Sequence, residues 1–130
     1  MNKPTHFIDK DFVVLGPDKR ATIEPADATL YQRLDRDYNG FTGHELIACH
    51  DFEADWPSWE IHPYGDEVVI LLSGSVTFVL QREQGEELVA LNDKGAYVIV
   101  PKNTWHTARI AKSARMLFIT PGEGTQHKPL

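Results

Sequence analysis

Glu60, His62 and Glu67 lie close together in WPSWEIHPYGDEVVILLSG, residues 56–74. Two carboxylates and an imidazole at such short range are the side chains that hold divalent metals. Glu60 and His62 are two apart in a stretch that reads as a strand, so they point to the same face. The segment Pro63-Tyr64-Gly65-Asp66 is expected to reverse the chain as a hairpin turn. Glu67 would then open the next strand opposite or diagonal to His62, with cross-strand Cβ atoms about 5 Å apart. A second segment of the same form, GAYVIVPKNTWHTAR, sets His106 early in a strand after the turn at Pro101–Thr104. A second hairpin facing the first would deliver His106 to the same point as a fourth ligand.

The elements that would position these residues are short. FVVLG ends at the Gly16-Pro17 turn signal. PADATLYQRLDRDYNG, residues 25–40, reads as a short helix in which Asp27 can cap, Leu30 and Leu34 share a face, and Asn39-Gly40 stops the run. From residue 41 onward the pattern is strands separated by turns: HELIACHDF, SWEIHP, EVVILL, SVTFVLQ, LVAL, AYVIV, WHTARIA and ARMLFIT. Evenly spaced short strands of this kind indicate an all-β sandwich or barrel. The acidic run REQGEE reads as a solvated hairpin tip, and the tail PGEGTQHKPL as irregular. EVVILL and AYVIV are apolar on both faces, so their outer face needs cover, either from the N-terminal strand and helix or from a second subunit in a homodimer.

Composition narrows the partners. The 130 residues fit one domain with a real core. Net charge is -6 and the pI about 5.4, which argues against nucleic acid as a partner, since phosphate contacts need lysine and arginine. Mean hydropathy is -0.35, no apolar run approaches the roughly 20 residues that span a bilayer, and Asp9 and Asp11 interrupt any apolar leader, so no membrane association is expected and the expected location is the cytoplasm. Cys49 is the single cysteine and reads as a buried small hydrophobe.

The two ligand-bearing segments resemble the two motifs of the cupin family. The first family motif runs Gly, five residues, His-x-His, three or four residues, Glu, six residues, Gly; this chain has Glu60-x-His62, four residues, Glu67, six residues, Gly74. The second runs Gly, five residues, Pro-x-Gly, two residues, His, three residues, Asn; this chain has Gly95, five residues, Pro101-x-Asn103, two residues, His106. Ala54 stands where the first motif opens with Gly, Glu60 replaces its first His, Asn103 replaces the second motif's Gly, and Ile110 replaces its closing Asn. Asn tolerates the left-handed backbone a Gly would take there.

The resemblance implies a double-stranded β-helix, a jelly-roll barrel with the metal site inside. Residues 41–120 would form the barrel, residues 1–40 a strand and short helix packed on it, and residues 121–130 the tail. It also implies a divalent metal (iron, manganese, zinc or nickel) on Glu60, His62, Glu67 and His106, with Glu60 a candidate base. Two imidazoles and two carboxylates would neutralise a divalent ion, where the family's usual three-His, one-Glu set leaves one positive charge. Small metalloenzymes of the dioxygenase, isomerase or lyase type occur on this barrel, and so do binding proteins that hold a small molecule without catalysis; fold does not choose between them. Val69, Leu71, Ala108 and Ile110 are expected inside, which suits a small, mostly apolar ligand. Trp56, Trp59 and Trp105 flank the motifs and either line a pocket or serve as core or rim packing; Trp59 and Trp105 each neighbour a ligand in sequence and are expected on the opposite face, and Arg109 either meets a carboxylate ligand at the barrel mouth or faces out. Tyr64 either covers the site or is a solvated turn residue. His44, His50 and His127 have no direction readable from sequence.

Overall fold

The computed structural model describes residues 3–130. Strands β1 (Asp11–Leu15) and β2 (Ala21–Pro25) precede helix α1 (Leu30–Asp37). Then come β3 (Glu45–Phe52), β4 (Ser58–Ile61), β5 (Glu67–Gly74), β6 (Val76–Arg82), β7 (Gly85–Leu91), β8 (Tyr97–Val100), β9 (His106–Arg109), β10 (Ala114–Thr120) and β11 (Gln126–Pro129). They form two antiparallel sheets, one ordered β2-β1-β3-β10-β5-β8 and the other β11-β4-β9-β6-β7. The sheets face each other as a jelly-roll barrel, and the expected all-β class holds.

Alternation along the strands builds the interior. In β5 and β10 the buried residues Glu67, Val69 and Leu71 meet Met116 and Phe118, while Val68, Ile70, Leu117 and Ile119 turn outward. Phe78 and Leu80 of β6, Val98 and Val100 of β8 and Ala108 of β9 complete the core, all of them nearly inaccessible. A second cluster joins Phe12, Val14, Leu46 and Ala48 to Leu30 and Leu34 of α1. Ala48 lies opposite Phe118 in the β3–β10 register, so the helix rests on the inner face, where the larger sheet extends beyond its partner.

Several expectations are corrected. Neither ligand-bearing turn closes a hairpin. β4 and β5 belong to different sheets, as do β8 and β9, so residues 62–66 and 101–105 cross between layers. A hairpin would have left the apolar inner faces of β5 and β8 without an opposing layer; crossing sets the strands face to face and buries both. The tail is not irregular throughout: β11 pairs with β4 from Gln126↔Ile61 to Pro129↔Ser58, its backbone satisfying an edge that would otherwise be open. Asp27 does not cap α1. Its Oδ1 accepts from the Thr29 N–H at 3.0 Å and from Thr29 Oγ1 at 3.0 Å, ordering the turn before the helix, and Thr29 is the N-cap residue. The helix does not cover the outer faces of β5 and β8 either, because its apolar side is spent on the inner face. β2 has no counterpart in the sequence reading; it is an exposed edge strand with little apolar alternation, ending at Pro25.

Candidate metal centre

The two crossing segments are tied to each other. The Lys102 N–H donates to Asp66 Oδ1 at 2.7 Å, and the Asn103 N–H donates to the His62 carbonyl at 2.9 Å. Asn103 sits at φ 59°, the left-handed conformation expected of it, which brings its N–H to bear on His62. His106 follows at the start of β9, directly opposite Glu60 of β4. Glu67 reaches in from the other sheet at the start of β5.

Glu60, His62, Glu67 and His106 therefore meet inside the barrel, one ligand atom of each lying within 4.8 Å of the others. His62 Nε2 is 3.3 Å from Glu67 Oε2 and 3.6 Å from Glu60 Oε2. His106 Nε2 is 3.3 Å from Glu67 Oε1 and 3.7 Å from Glu60 Oε2. His62, Glu67 and His106 are 4%, 2% and 0% exposed, whereas the Glu60 side chain is 23% exposed, so Glu60 marks the open side.

Hydrogen bonds behind these atoms orient them. His106 Nδ1 lies 3.0 Å from the Thr104 carbonyl, which can only accept, so Nδ1 carries the proton and a neutral ring presents its Nε2 lone pair inward. Thr125 Oγ1 donates to the Gly122 carbonyl at 2.9 Å and so accepts from His62 Nδ1 at 2.8 Å, which fixes the same tautomer. Thr120 Oγ1 donates to Glu67 Oε2 at 2.6 Å. His127 Nε2 lies 3.2 Å from Glu60 Oε1. Among the atoms of these four residues, His62 Nε2, His106 Nε2 and Glu67 Oε1 are buried without a hydrogen-bond partner. Buried polar atoms are rarely left unpaired, and here three of them converge. Imidazole nitrogens and carboxylate oxygens are donors that zinc, iron, manganese and nickel accept, so the residues fit a divalent ion.

With protons in place of a metal, the cluster is a network of two cations and two anions. Burial alone would push the Glu60 and Glu67 carboxyls up; the close approach of His106 and His62, once protonated, overcomes it and holds both below the usual carboxylate range. Burial likewise works against charge on the imidazoles, but Glu60 and Glu67 raise His62 to about 9 and His106 to about 10.

The neighbouring residues divide clearly. Trp56 packs inside with Phe52, Phe78 and Phe118, its ring centroid 6.1 Å from that of His106. Trp105 lies under the Lys128 ammonium at 4.4 Å, and Arg109 is exposed. Trp59 and Arg109 line a cavity of about 220 Å³ that none of the four converging residues touches. Tyr64 is a solvated turn residue, 65% exposed. His44 bonds the Thr42 carbonyl, and Cys49 is buried. His50 faces the interior among Phe12, Phe52 and Phe118. Sequence reasoning missed Thr120, Thr125 and the position of His127. Thr120 did carry a signal, a polar residue on the inner face of ARMLFIT; the other two lie in a tail without strand periodicity.

The comparisons bear on this geometry. No protein-family model and no curated protein matches the sequence. Solved structures do match. A cupin-2 domain containing protein from Shewanella frigidimarina shares 21% identity at a TM-score of 0.51, over 59% of this chain and 70% of that one. Protein NMB1881 from Neisseria meningitidis shares 20% at 0.50, over 58% and 72%. Hydroquinone 1,2-dioxygenase from Sphingomonas sp. TTNP3, solved with 4-hydroxybenzoate, shares 16% at 0.50, over 58% of each chain. The chain is thus a jelly-roll barrel with a buried Glu-His cluster. Its fold is the cupin fold, and the two cupin-like motifs of its sequence are the segments that carry the cluster.

Proposed function

We propose that the protein is a small metal-dependent enzyme that binds one divalent ion through Glu60, His62, Glu67 and His106 and acts on a small molecule inside the barrel. The observation that carries this is the set of buried, unpartnered Nε2 and Oε atoms converging on one point, each ligand oriented from behind by a hydrogen bond. The ion would supply Lewis acidity or an oxygen-binding position. The chain's own residues would supply the rest. Val69, Phe78, Ala108, Met116 and Phe118 make the interior apolar and exclude water, which suits a small, mostly apolar substrate. Glu60, on the open side, is better placed as an anionic ligand than as a base, because a carboxyl held so far below its ordinary range has little affinity for a proton. Dioxygenase, isomerase and lyase chemistry all remain compatible with these residues, and the dioxygenase among the similar folds supports the first of them. Non-catalytic holding of a small molecule is the second reading, favoured by an interior with few polar groups besides the cluster.

The outer face of β5 and β8 supports a homodimer. Tyr97 and Ile99 are 61% and 51% exposed beside the half-buried Val68 and Ile70, and a second copy laid on this face would bury all of them.

Metal analysis of untagged protein purified without chelator tests the site. The wild type should carry stoichiometric iron, manganese, zinc or nickel, and His62→Ala should lose most of it. A wild type that is metal-free and takes up none when offered would end the metalloenzyme reading.

A further inference from the structure

We propose that His127 is a positioning residue that confines Glu60 to a single donor oxygen. The inference rests on the metal-binding reading above. β11 pairs with β4 and β4 with β9, so His127, Glu60 and His106 stand in one row across the sheet, directly opposed and on the same face. The two oxygens of Glu60 are divided between partners. Oε1 lies 3.2 Å from His127 Nε2. Oε2 faces His62 Nε2 and His106 Nε2 at 3.6 and 3.7 Å. A carboxylate only accepts, so the shared proton sits on His127 Nε2. A carboxylate with one oxygen engaged by an N–H coordinates through the other, whereas a free carboxylate can chelate through both. Holding Oε1 back would keep one coordination position open on the side of Glu60, the most exposed of the four residues, where a substrate could enter.

The residue just before that strand holds a second ligand. Thr125, two residues before His127, accepts from His62 Nδ1. Thr125 and β11 together are therefore a strap along the edge of the sheet that orients two of the four ligands. His127 is the part of it that can be changed without cutting into the core, because its side chain is 58% exposed.

Cobalt(II) titration of chelator-treated wild type, His127→Phe and His127→Gln tests this, read by visible absorption and by affinity in competition with a chelating dye. His127→Phe keeps a planar ring but has no donor. It should weaken Co(II) binding about tenfold, the usual low end for loss of a partner behind a ligand. Its visible bands should also fade, since a chelating Glu60 raises the coordination number and Co(II) with more ligands absorbs more weakly. His127→Gln, whose amide N–H can reach the same oxygen, should restore both. A His127→Phe spectrum and affinity that superimpose on the wild type overturn the proposal and leave the metal site standing. His127→Gln behaving like His127→Phe also overturns it, because the effect would then be packing at the sheet edge. A wild type that shows no Co(II) bands and no binding overturns both readings together.

Discussion

Two imidazoliums and two carboxylates balance one another in the metal-free cluster, and that balance makes metal binding a proton exchange. With His62 at about 9 and His106 at about 10, both rings are protonated near neutral pH. A divalent ion needs their Nε2 lone pairs, so binding should expel two protons, one from each ring. Calorimetry in buffers of different ionisation enthalpy should read close to two protons per metal near pH 7, and affinity should rise with pH. Release near zero would show that these rings are not the ligands. The same groups set the stability of the chelated protein. The imidazole values are raised above the ordinary 6.5, so their contribution is complete below that pH and lost as pH climbs through about 9 and 10. The carboxyl values are depressed below 4.5, so theirs is complete above that pH and lost on acidification. The melting temperature of the metal-free protein should therefore fall between about pH 7 and pH 10, and saturation with metal should flatten the fall.

Gly74 shows at the scale of elements why the first motif closes on glycine. It ends β5 at φ 80°, where a Cβ would lie 2.1 Å from the Ser113 carbonyl oxygen. That approach brings the Ser75 N–H to the same carbonyl at 3.1 Å and starts β6 in the opposite sheet. Gly74→Ala should cost about 2–4 kcal/mol in chemical denaturation, from the unfavourable φ together with a clash against rigid backbone. A loss under about 0.5 kcal/mol would mean that the β5–β6 connection can shift. The crossing segments work as a pair for a related reason. Each ends a strand of one sheet and begins a strand of the other, and the Asp66–Lys102 and His62–Asn103 bonds lock the two together, so ligands from both layers keep a common register.

The whole molecule leaves one side of its larger sheet in want of cover. α1 serves the inner face, and β1 and β2 widen the sheet without shielding it. Light scattering on the wild type should give twice the 14.7 kDa chain mass. Ile99→Asp should return it to the single-chain value with metal content unchanged, because Ile99 points away from the cluster. A wild type that runs as a monomer would reassign that face. No helix among the described residues is long and apolar enough to cross a membrane.

The chain's own pattern determined β1, the short helix, the strands from β3 to β10 and the four converging residues. Alternation and turn residues are local properties, and the ligands lie at the ends of strongly patterned strands. Tertiary structure alone decided how they converge. A strand's sequence shows that it has a buried face but not which sheet it joins, so the expected hairpins became crossings between layers. Nor could periodicity find β11. A four-residue edge strand with an exposed face gains its order from the neighbour it pairs with, here Glu60's own strand. That pairing brings Thr125 and His127 behind two of the ligands, a juxtaposition across more than sixty residues of chain that no local signal encodes.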